Sequence, residues 1–141
     1  MKIAILGANY QYLSFYKQAK AMGYEIIAFG RAEDDHICSK LADKFYDISF
    51  KEQDRILEIC KKEGVDGITS FIIESALPYV YHISRGLGIP CNSIDCEALT
   101  ENKYTMREQL KKDGVNIPAY VAIHSKTEEY NIPFPIIVKP A

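Results

Sequence analysis

Apolar residues fall into short β-branched runs, separated by segments in which they recur every three or four positions. The run 2–6 is closed at once by Gly7 and predicts a first strand. Tyr12, Phe15, Tyr16, Ala19 and Met22 then form one stripe at helical spacing, stopped by Gly23, and predict a helix over about 12–22. Runs at 25–29, 45–48 and 67–73 predict three further strands, and Ile89-Pro90-Cys91 a brief fifth. Ser49 with Glu52 three residues on has capping-box spacing. The helix it opens is expected to bury Ile56, Leu57, Ile59 and Cys60 and to end at Lys61-Lys62-Glu63-Gly64, with cations at the negative dipole end. Ser75 opens another helix, with Pro78 in its first turn and Leu77, Val80 and Ile83 inward. Thr100 is expected to cap a helix running to Asp113, with Met106 and Leu110 inward and Gly114 as its stop.

Strands that alternate with helices need crossover connections. The pattern therefore predicts an α/β fold: a doubly wound, mostly parallel sheet of about four to five strands. This first domain is expected over 1–95. Residues 96–141 read as a linker helix, a proline-bounded polar connection at 117–133, and the first strand of a further lobe at 134–138. In such a sheet Leu6-Gly7, Phe29-Gly30 and the segment 70–74 meet at the carboxyl edge, where open α/β sheets bind ligands.

Composition narrows the classes of function. The chain has 141 residues, 48% of them hydrophobic, and a net charge of −2, with Lys and Arg scattered rather than clustered. That excludes a nucleic-acid footprint, and no apolar stretch approaches the roughly 20 residues that span a bilayer. Cys38, Cys60, Cys91 and Cys96 show neither CxxC spacing nor metal-ligand spacing with His36, His82 or His124, and read as free thiols of a reduced, cytoplasmic protein.

Three features carry candidate chemistry. Gly7-Ala8-Asn9-Tyr10-Gln11-Tyr12 stands where a dinucleotide-binding fingerprint would, but Asn9 and Tyr12 replace its second and third glycines. The second strand likewise ends in Gly30-Arg31 rather than an acidic ribose anchor, although Glu33, Asp34 and Asp35 follow. This argues against a dinucleotide and leaves two readings: a strand-to-helix loop whose amides can hold a small anionic substrate, with Gly7 and Asn9 as candidates, or a tight turn at Gly7 and nothing more. Glu74, after Ile72-Ile73, either serves a helix dipole or accepts from a substrate hydroxyl or amine. Lys139 ends an Ile-Ile-Val run bounded by prolines, and Lys103 lies in the first turn of a helix. Two lysines converging on one polyphosphate would supply the neutralisation that nucleotide binding requires.

The order of the Gly7 loop, Gly88-Ile89-Pro90, Asn102-Lys103 with Met106-Arg107, Gly114-Val115-Asn116-Ile117-Pro118 and Phe134-Pro135-Ile136-Ile137-Val138-Lys139-Pro140 resembles the start of an ATP-grasp ligase. It is similar to the branch that contains biotin carboxylase, carbamoyl-phosphate synthetase and the glycinamide ribonucleotide enzymes. The resemblance implies a Rossmann-like pre-ATP-grasp domain and a chain cut before the glycine-rich loop. It implies ATP and Mg²⁺ as cofactors of the full-length enzyme, with Lys103 and Lys139 on the ATP phosphates and Gly7, Asn9 and Glu74 on the substrate side. No catalytic residue and no metal ligand falls within these residues. The partners implied are ATP and a small-molecule substrate, with no nucleic acid or membrane, and a homodimer is allowed. The alternative is a non-catalytic nucleotide- or metabolite-binding α/β module.

Overall fold

The computed structural model describes residues 1–32 and 36–139, so the acidic run 33–35 lies outside it. The described chain divides into two compact units, Met1–Asn92 and Ser93–Ala141.

The first unit is built on four parallel strands, β1 (Lys2–Leu6), β2 (Glu25–Gly30), β3 (Lys44–Asp47) and β4 (Gly67–Ser70), in the order β3-β2-β1-β4. Helix α1 (Leu13–Ala21) connects β1 to β2, α2 (Gln53–Glu63) connects β3 to β4, and α3 (Leu77–Leu87) follows β4. Side chains alternate across a strand, so each strand feeds both faces of the sheet. Ala4, Leu6, Ile27 and Phe29 turn to one face and pack with Ile56, Cys60, Val80 and Ile83 of α2 and α3. Ile5, Ile26 and Ala28 turn to the other and pack with Tyr12, Tyr16, Ala19 and Cys38. With helices on both faces the sheet is doubly wound, as the pattern predicts. Strand order reverses at β1, which puts the switch point between β1 and β4.

Several predicted boundaries shift, each for a local reason. β4 ends at Ser70 rather than 73, because Ile72 takes a left-handed φ of 74° and turns the chain out of the ladder. Residues 89–91 form no ladder, so four strands stand among the described residues. Met22, the last residue of the predicted stripe, is exposed, one residue past the end of α1. Only half of the capping box forms: the Glu52 carboxylate accepts from the Ser49 amide, and the helix starts at Gln53. His82 is half-exposed and bonds Asp54 of α2 at 2.9 Å.

The second unit departs further. Thr100 caps nothing: its hydroxyl donates back to the Cys96 and Glu97 carbonyls inside α4 (Ile94–Glu101), which Ser93 caps. A separate helix α5 (Lys103–Lys112) starts at Asn102, whose side-chain oxygen accepts from the amides of Tyr104 and Thr105. The segment 117–124 runs beside α5, where Tyr120 bonds Glu108, packs edge-on to Tyr104 and lies under Arg107. The strand expected at 134–138 is not formed among the described residues. Phe134, Ile137 and Val138 are 78%, 84% and 86% exposed, and no ladder includes them. A β-branched run becomes a strand only where a partner edge receives its backbone.

Core and tail should therefore respond differently to truncation. Ile56→Ala is expected to cost about 2–5 kcal/mol in urea unfolding, and Val138→Ala less than about 0.5 kcal/mol. A pH dependence follows from Glu63, whose carboxyl is held below its ordinary range by hydrogen bonds from Lys44 and then Tyr46. Such a group stabilises the fold above the usual glutamate range, and the contribution is lost as pH falls through that range and below it. Unfolding midpoints across acidic pH should show this loss, and Glu63→Gln should flatten it.

Candidate functional site

All four strands send their carboxyl-end loops to one shallow cleft of about 70 Å³, lined by Gly7, Ala8, Asn9, Gly30, Arg31, His36, Ser49, Phe50 and Ile73. Its floor is the β1–α1 loop, and that loop is held from beneath. Two tyrosines one helical turn apart, Tyr12 and Tyr16, are fully buried there. The Tyr16 hydroxyl donates to the Gly7 carbonyl at 2.8 Å. The Tyr12 hydroxyl lies 3.0 Å from both the Leu6 carbonyl and the Ser70 hydroxyl, while Ser70 itself donates to the Leu6 carbonyl at 2.9 Å. This triangle closes the switch point by joining the end of β1 to the end of β4. Burial pushes both phenols above their ordinary pKa, so they remain neutral donors.

The next two carbonyls are taken by Cys38. Its amide donates to Ala8 at 2.9 Å and its thiol to Asn9 at 3.0 Å; the Tyr12 amide also donates to Asn9 at 3.1 Å. Four consecutive carbonyls, from Leu6 to Asn9, thus have donors within the protein. The amides divide differently. Gly7 donates to Phe29, whereas those of Ala8 and Asn9 donate to no acceptor among the described residues. The loop presents N–H groups to the cleft and keeps its oxygens inward.

Gly7 is fixed by this packing. It has φ of 119°, and a Cβ there would lie 2.4 Å from the Tyr12 ring. Tyr12, which stands at the third glycine position of a dinucleotide fingerprint, occupies the space that such a fingerprint keeps open.

Gly7 and Asn9, expected on the substrate side, both line the cleft, although the Asn9 side-chain oxygen is used locally in accepting from the Gln11 amide at 3.0 Å. Glu74 is exposed at the start of the 3₁₀ turn Glu74–Ala76, and Ile73 rather than Glu74 joins the lining. Lys103 is the first residue of α5, and Lys139 stands exposed after the run 134–138; both belong to the second unit. The sequence reading missed Arg31, His36 and Ser49 as lining residues, and His36 is held by stacking on Phe45 with centroids 5.8 Å apart. The pair Tyr12 and Tyr16 behind a glycine loop was the available signal. Of the four free thiols, Cys38 and Cys60 are buried, and burial pushes Cys60 up to about 12. Among the described residues no group of three or more His, Cys, Asp or Glu side chains could hold a metal ion, and no helix is long and apolar enough to cross a membrane.

No protein-family model and no curated protein matches the chain. Solved structures do. Phosphoribosylglycinamide synthetase from Anaerococcus prevotii superposes with a TM-score of 0.73 at 23% identity, over 89% of this chain and 32% of that one. L-amino acid ligase from Bacillus licheniformis gives 0.79 at 18% identity, over 95% and 35%. N5-carboxyaminoimidazole synthetase from Staphylococcus aureus, in complex with ADP, gives 0.72 at 20%, over 89% and 33%. These neighbours are ATP-grasp ligases, matched in their N-terminal portion, and the fold is that of their Rossmann-like pre-ATP-grasp domain. The chain spans about a third of the length of the structures it matches.

If the tyrosines hold the loop, Tyr16→Phe should cost about 1–3 kcal/mol by leaving the Gly7 carbonyl without its donor. Gly7→Ala should cost more, since the strained φ and the clash with Tyr12 add. Urea titrations of both variants measure this, and a Tyr16→Phe chain as stable as the unaltered one would refute the role.

Proposed function

We propose that the chain is the substrate-side N-terminal domain of an ATP-dependent ligase. The observation that carries this reading is the fold likeness to several such ligases, which covers 89–95% of the chain. In that chemistry a carboxylate is phosphorylated by ATP with release of ADP, and an amine or similar nucleophile then displaces the phosphate. Lys103, at the positive end of α5, and Lys139, on an exposed apolar run, would contribute charge at the ATP phosphates. An ammonium group is chemically suited to that place. Mg²⁺ is a different matter: the described residues offer it no ligand set, and no step is assigned to it here. Gly7 and Asn9 would supply the substrate-side loop, and Glu74, exposed at the start of its 3₁₀ turn, an acceptor for a substrate hydroxyl or amine.

On this reading the 141-residue chain alone turns over no ATP. In a longer protein that carries it, Lys139→Met and Lys103→Met should each reduce ATP-dependent phosphate release by two orders of magnitude or more, with the melting temperature unchanged. Unchanged release would overturn the assignment. Nucleotide binding that neither substitution weakens would favour a non-catalytic nucleotide-binding module instead.

A further inference from the structure

We infer that two copies of this chain exchange their 134–138 runs, each run seating as an added strand in the groove that the other copy forms between α5 and residues 117–122. The exchange lies wholly within the second unit and does not depend on the ligase reading.

Each chain carries both a socket and a plug. The socket is a groove of about 580 Å³, bounded by Tyr104, Glu108 and Lys111 of α5 and by the segment 117–122. Among the described residues no backbone group from 117 to 123 bonds another backbone group. Tyr120 and Ala122 are half-buried, whereas Val121 and Ile123 are each 46% exposed, the period-two alternation of a strand covered on one face. Backbone of this kind is a strand edge without a neighbour, and such an edge is a template for a further strand. The plug is the run 134–138, which has strand composition and no ladder of its own. The chain reaches its own groove with Asn131 and Ile132, which line it; Phe134, Ile137 and Val138 do not, and stand exposed.

Three arguments make the occupant a second copy. First, the second unit has little core of its own, since α4 and α5 bury no residue completely, and the exchange supplies apolar cover where it is lacking. Second, the area suffices. At their exposures Phe134, Ile137 and Val138 hold on the order of 400 Å² of accessible surface, and two runs with the groove surface they cover come to roughly 1,600 Å², the size of a stable interface. Third, reciprocal exchange leaves no plug and no socket unfilled and closes at two copies, as a two-fold contact does. A partner of another kind would fill one half and leave the other exposed to water.

Sedimentation velocity of the whole chain from about 1 to 200 µM tests this. A monomer should pass to a dimer, with a dissociation constant of roughly tens of micromolar. Ile137→Asp with Val138→Asp spoils the plug, and Val121→Asp the socket. All three side chains are exposed in the single chain, so both variants should keep the circular dichroism spectrum and the dilute-solution urea midpoint of the unaltered chain. Each is expected to weaken association by about a hundredfold or more. Ile94→Asp, at a residue 69% exposed that does not line the groove, should leave association unchanged. A chain that stays monomeric at the highest concentration overturns the exchange. So does a dimer that Val121→Asp leaves intact, which would mean that the runs pair with each other. Equal disruption by Ile94→Asp, or assembly that continues past two copies, overturns it as well.

Discussion

The architecture of the candidate site depends on how the backbone of β1 leaves the sheet. A strand end at the carboxyl edge of a parallel sheet exposes polar groups that the ladder no longer satisfies. Here the oxygens are satisfied from below by two buried phenols, a serine hydroxyl and one cysteine residue. Burial keeps the phenols protonated, so they can only donate or accept as neutral groups. Because the C=O and N–H of one trans peptide point in opposite directions, tying the Gly7 and Ala8 oxygens inward turns the Ala8 and Asn9 amides away from those donors. The polarity of the cleft therefore follows from the packing of Tyr12, Tyr16 and Cys38. The same Tyr12 ring demands glycine at position 7 and bonds across to Ser70, so loop conformation, strand spacing and cleft chemistry share one residue.

Much of this was legible in the pattern of the chain, because short uninterrupted apolar runs mark strands covered on both faces and stripes at period 3.6 mark the helices that cover them. The alternation of such runs with helical stripes pointed to the doubly wound parallel sheet, and the structure divides Ala4 to Leu6 and Ile26 to Phe29 between its two faces. What escaped depends on contacts distant in sequence. Phe71-Ile72-Ile73 has every local mark of a strand, yet Phe71 stacks on Phe15 with centroids 5.4 Å apart and Ile72 turns left-handed. Asn102 reads as an ordinary helix residue until its side chain takes the amides of Tyr104 and Thr105 and splits one helix into two. Residues 134–138 have strand composition and no edge to join among the described residues. Tyr12 and Asn9 were visible as departures from a glycine-rich fingerprint. That the departure builds a different floor under the loop was not, since it needs Tyr16, Ser70 and Cys38 to be brought together by the fold.

The second unit shows the same limit from the other side. Its helices bury no residue completely, and its tail exposes large apolar side chains. Lys103 and Lys139 therefore sit on elements whose positions local sequence specifies only in part, whereas Gly7 and Asn9 sit on a loop held by buried hydrogen bonds. Fold likeness to solved ligases and synthetases covers 89–95% of the chain at 18–23% identity. At that distance the shared property is architecture, and the chemistry of this chain has to be argued from its own side chains.

The account turns on the division between carbonyls tied inward and amides turned to the cleft, and native-state hydrogen exchange measures that division residue by residue. The amides of Gly7, Tyr12 and Cys38, bonded to Phe29, Asn9 and Ala8, should exchange only through openings close in free energy to global unfolding. Those of Ala8 and Asn9 should exchange much faster in the same chain. Equal, high protection at all five positions would mean that the two amides already have acceptors, and would contradict the account.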